Sequence, residues 1–145
     1  MTIETTFFNR CIATLERALG RLEQSDPDDI DYELYRSACV KEFEIILEQA
    51  GKLLRKCLND YMHSAKAVQQ LVFKDIFRQA CQHGFLTEEE TERWLIYRDN
   101  RNHTAHDYGM KFAEETKALL PDFIKDSKSL FITTECQPSL ETALA

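Results

Sequence analysis

At 145 residues the chain is the size of one domain, and on folding it buries roughly two thirds of the surface its extended form exposes. Four glycines and three prolines are too few for the turns of an all-β fold, while 43% hydrophobic and 30% charged residues exclude a disordered chain. A net charge of −7 argues against wholesale coating of nucleic acid, whose affinity scales with the cations on offer, so any phosphate contact has to be local. No stretch approaches the ~18 unbroken apolar residues of a membrane span, and "MTIETTFFNR" lacks the basic start and apolar run of a secretory signal. The expected location is cytoplasmic, with no membrane partner.

From Thr6 to Gln24 the apolar residues Phe8, Cys11, Ile12, Leu15, Ala18, Leu19 and Leu22 step by three and four, which predicts one stripe of an amphipathic helix. "SDPDDID" breaks the pattern. Asp31 is the expected cap of a longer second helix, with Cys39, Phe43, Ile46, Ala50, Leu53, Cys57 and Tyr61 turned to the core. Continued to Gln70, that helix would reach close to ~60 Å, too long for so small a domain, so a break is expected at "NDYMHSA" with Ser64 as the next cap. A third helix over Ala67–His83 presents Leu71, Val72, Ile76, Phe77 and Ala80 and stops at Gly84. "TEEE" at 87–90 is a start signal: Thr87 caps, Glu90 follows at the reciprocal position, and acids favour the positive end of the helix dipole.

The fourth helix therefore begins near Glu88 and carries Trp94, Leu95 and Tyr97. A fifth, from about Gly109 to Leu130, contains Phe112, Ala113, Leu119, Leu120, Phe123 and Ile124, with Pro121 as an expected kink. The whole reads as an all-α, antiparallel bundle of four to five helices, one domain over 1–132 followed by a flexible tail, 133–145. Apolar residues left on the outer faces of the first and fourth helices suit a dimer or another partner.

The five cysteines are odd in number and scattered, which fits small buried hydrophobes better than disulfides or a metal site. The polar stretch "RDNRNHTAHDYG" at 98–109 is where chemistry concentrates. Trp94, Arg98, Arg101 and Ala105 fall at offsets of zero, four, seven and eleven, so a continuous helix turns both arginines toward the face that Trp94 uses for the core. Charges sit there only when paired or placed in a cleft. A solvated, salt-bridged helix end fits the same residues, and His103 and His106 with Asp99 or Asp107 make only a weak metal set, so no metal or other cofactor is expected.

"RNHTAHDY" at 101–108 resembles the Arg-x4-His-x-Tyr signature of HEPN domains, specifically the HepT or nucleotidyltransferase substrate-binding branch. "RSACVKEFEIILEQAGKLLRKCL" at 36–58 resembles that family's long second helix, "FRQACQHGFL" at 77–86 its third helix and turn, and "WLIYRDNRNHTAHDY" at 94–108 its run into the motif. The likeness covers about residues 7 to 130. It implies the toxin of a toxin–antitoxin pair: a metal-independent RNA endonuclease neutralised by a minimal nucleotidyltransferase.

On that footing Arg101 and His106 are the candidate catalytic residues, and Asn102, Arg98 and His103 are supporting or binding residues. Tyr108 is, by similarity, the candidate acceptor of adenylate. The chemistry is consistent with these side chains. Cleavage by a 2′-hydroxyl needs a base, an acid and a cation for the charge gathering on phosphorus; an imidazole and a guanidinium supply them. One chain offers one His106, so a homodimer pairing two copies across a twofold axis provides acid and base together. The 2′-hydroxyl confines the substrate to RNA. A noncatalytic nucleotide- or substrate-binding subunit of a two-component nucleotidyltransferase is the alternative, and a plain helical scaffold is a third reading.

Overall fold

The computed structural model describes residues 4–62, 64–104 and 110–135, leaving out the side chains of 102–104 and 110–113. Six helices account for the described chain: α1 (Thr6–Gln24), α2 (Ile30–Leu58), α3 (Ala65–Gln69), α4 (Phe73–Gln82), α5 (Glu88–Thr104) and α6 (Met110–Glu135). No strand is present among the described residues, in agreement with the all-α expectation.

α1 has the predicted bounds, and its buried side chains are the predicted stripe, Phe8 through Leu22. The short 25–29 link folds α2 back along it. The cap of α2 is Asp29 rather than Asp31: Asp29 is extended, and its carboxylate accepts from the Asp31 N–H at 3.3 Å. The helix thus starts two residues earlier than expected, where the Asp29 carboxylate takes up an N–H of the first turn; Ile30 and Leu34, exposed at 76% and 62%, give that start no apolar signal.

α2 ends at Leu58, and Ser64 caps the next helix as expected, accepting from the Ala67 N–H at 3.1 Å. Tyr61 therefore lies past the helix end, and it is not a core residue. Its half-exposed ring sits against His83 and Phe85 instead.

The expected third helix is two helices. Between α3 and α4 the Leu71 carbonyl accepts from the Arg55 guanidinium of α2 at 3.0 Å, and Val72 is extended and 63% exposed, a helix cap rather than a core residue. An outside side chain thus supplies the partner that the lost helical turn would have given this carbonyl. Gly84 adopts φ +82°, the left-handed value that ends α4, and the Phe85 N–H closes on the Ala80 carbonyl at 2.9 Å. Thr87 and Glu90 exchange the two hydrogen bonds of a capping box, each 3.1 Å. Pro121 lies inside α6 without ending it, and the helix runs on to Glu135, past Leu130.

α1, α2 and α6 pack on one another, while α4 and α5 cover the remaining faces of α2 and α6. At their meeting lies an aromatic cluster of Phe43, Phe77, Trp94, Tyr97 and Phe123, all buried. Cys11, Cys39 and Cys57 are free and buried, with burial raising each thiol to about 11. Phe7 of α1 and Ile96 of α5 face outward. No helix among the described residues is long and apolar enough to cross a membrane.

Candidate functional site

Side-chain hydrogen bonds fix α5 to α6. Arg93 grips the buried Asp126 carboxylate through Nε and Nη2, both at 2.8 Å, and the Tyr97 hydroxyl donates to the same carboxylate at 2.6 Å. Four residues beyond Tyr97 is Arg101, and one residue before it Asn100 donates to Thr116 Oγ1 at 3.0 Å. Facing α4, Asp99 pairs with Lys74 at 2.7 Å. These ties set the rotation of α5 about its own axis. With Trp94 fully buried, Arg98 and Arg101 are turned to the same side, as their spacing predicts.

The two arginines are neither dispersed over the exterior nor folded into the core. They line a cleft of about 370 Å³ between α2, α4 and α5. From α2 come Glu48, Lys52 and Arg55; Phe73 of α4 forms part of the wall. Four cations thus face one carboxylate, in a chain whose total charge is −7. The Arg98 guanidinium lies 4.6 Å from the Phe73 ring centroid, a cation–π contact. Burial, and then the like charge of Arg101, weaken the hold of Arg98 on its proton, and Glu48 opposes them. Glu48 itself reaches Lys52 at 3.8 Å.

Nothing in the sequence alone singles out Lys52, Arg55 or Phe73. In α2 the apolar positions draw attention, and Lys52 and Arg55 look like ordinary solvated charges between them. Gly51 was the available signal, since glycine inside a helix costs about 1 kcal/mol relative to alanine and has to be repaid by a close approach. A Cβ there would meet the Phe73 ring at 3.2 Å.

The remaining predicted residues fall differently. Asn102 and His103 are on the α5 backbone with their side chains outside the described residues, and His106 and Tyr108 lie outside the described residues altogether. The structure brings Arg98 and Arg101 together; their approach to His106 is not among the described geometry. Among the described residues no three potential metal ligands gather.

The sequence matches the family described as nucleotidyltransferase substrate binding protein like over residues 5–134. A curated relative from Haemophilus influenzae, described as "Probable ribonuclease HepT", is 29% identical over 94 residues, which is 65% of this chain and 63% of that one. The aligned part therefore spans somewhat less than two thirds of that relative. A solved Haemophilus influenzae structure, described as the substrate binding domain of a nucleotidyltransferase, superposes with a TM-score of 0.78 at 22% identity, covering 90% of this chain and 98% of its own. One from Thermus thermophilus gives 0.70 at 24% identity, covering 88% and 98%. These likenesses carry the fold. Taken with the family match over nearly the whole chain, they place this protein in the nucleotidyltransferase substrate-binding-like family, the HepT branch of HEPN-type helical proteins.

Proposed function

We propose that this protein is a metal-independent RNA endonuclease, the toxin of a toxin–antitoxin pair, acting as a homodimer and neutralised by a minimal nucleotidyltransferase. The observation that carries the reading is the position of Arg101: half-buried in a cleft where cations outnumber carboxylates four to one, the surroundings a phosphate requires. His106 follows five residues later. In the proposed reaction one His106 removes the 2′-hydroxyl proton, that oxygen attacks phosphorus, and the partner's His106 protonates the departing 5′-oxygen. Arg101 balances the negative charge gathered on the non-bridging oxygens. Asn102 and His103 orient the phosphate or the imidazole, and adenylate on Tyr108 would bring volume and negative charge to the same place.

Arg101→Ala and His106→Ala are each expected to slow RNA cleavage at least about 100-fold and relieve growth inhibition, with thermal unfolding little changed and a chelator without effect. Cleavage that survives both substitutions would remove these residues from the reaction. The second reading, a noncatalytic substrate-binding subunit, is favoured by the family description and by a cleft that suits phosphate without cutting. It predicts that the isolated chain binds nucleotide, leaves RNA intact, and raises the affinity of a partner nucleotidyltransferase for its substrate.

A further inference from the structure

We infer that Arg98, seated on Phe73, and Arg55 form a second phosphate subsite that holds the phosphate next to the one at Arg101 on a bound RNA strand; this rests on the RNA reading above. The first ground is charge. Arg98 has no hydrogen-bond or ion-pair partner among the described residues, and its guanidinium lies over the Phe73 ring, with Arg101 and Glu48 near enough to act on its charge. Arg55 spends one Nη on the Leu71 carbonyl, and its Nε is buried with no hydrogen-bond partner among the described residues. Buried donors left open are costly, and a phosphate oxygen would satisfy them.

The second ground is construction. Gly51 admits the Phe73 ring against α2, and the ring carries the guanidinium on its face. Stacking on a ring face consumes no N–H, so the planar edge of Arg98 remains available for paired hydrogen bonds to an anion. Arg98 and Arg101 are three residues apart on α5, neighbours with about 5–6 Å between Cβ atoms. That step suits consecutive phosphates of one strand better than two oxygens of a single phosphate. Lys52, exposed and part of the same lining, adds a third cation.

The test compares a fluorescent 2′-O-methyl pentauridylate, which has four internucleotide phosphates and cannot be cut, with the dinucleotide, which has one. Wild-type protein is expected to bind the pentamer at least tenfold more tightly. Arg98→Met keeps an apolar stem on Phe73; it should cut that ratio at least threefold and lower the slope of log affinity against log salt by about 0.7. Arg98→Lys retains the charge without the stack and should recover only part of the ratio. Unchanged ratio and slope in a folded Arg98→Met protein would overturn the subsite and leave the RNA reading standing. No affinity of the wild type for either probe would overturn both. Arg98-dependent binding of ATP stronger than that of the pentamer would replace the strand by a nucleoside triphosphate.

Discussion

Tyr97 and Arg98 are adjacent in sequence and opposite in role. The Tyr97 phenol is buried and donates to Asp126, and burial first, then that hydrogen bond and the carboxylate charge, push its ionisation well above the ordinary tyrosine range. The fold therefore binds the neutral phenol, whereas the unfolded chain loses this proton near pH ~10. The resulting stability is complete below about pH 10 and declines as the pH rises beyond it, because only the unfolded state can then ionise freely. Tyr97→Phe is expected to cost about 1 kcal/mol at neutral pH and to show a shallower fall in melting temperature between pH 10 and 12 than the wild type. Parallel falls would mean that the phenol is not held neutral by the fold. Arg98, by contrast, pays for position with open donors, and its removal should be read in binding rather than in melting.

The helices differ in how openly their sequences announce them. Thr87→Ala removes one half of the capping box of α5 and is expected to cost about 1 kcal/mol, lowering the melting temperature by about 3 °C, as calorimetry would register. That box, the α1 stripe, the Ser64 cap and the left-handed Gly84 were legible because each depends on residues within a few positions of one another. The break between α3 and α4 was not, since it is stabilised by Arg55, sixteen residues before Leu71. Asp29 rather than Asp31 is the cap because its backbone is extended and its carboxylate reaches the Asp31 N–H, while exposed Ile30 and Leu34 leave that start without an apolar mark. For the site, the rotation of Arg98 and Arg101 followed from spacing to Trp94 on one helix. The contributions of α2 and α4 required a tertiary fold to bring Lys52, Arg55 and Phe73 opposite them.

Across the molecule, charge is sorted along the helices. α2 has Asp31 and Glu33 in its first turn and Arg55 and Lys56 in its last; α5 begins with three glutamates and carries Arg98 and Arg101 in its final two turns. Each sign is placed at the end of the helix dipole that favours it, and both cationic ends border the cleft. The carbonyl-rich helix ends thereby offset part of the repulsion felt by Arg55 and Arg101, the two nearest them. An acidic protein can in this way keep one basic face. On a column it should consequently behave as two proteins at once: retained by an anion exchanger at pH 7 for its −7 charge, and retained by phosphocellulose through the cleft. Replacing Arg98 and Arg101 together should make it leave phosphocellulose at lower salt and the anion exchanger at higher salt, and coincident elution of the two forms on phosphocellulose would show that an extended polyanion docks elsewhere.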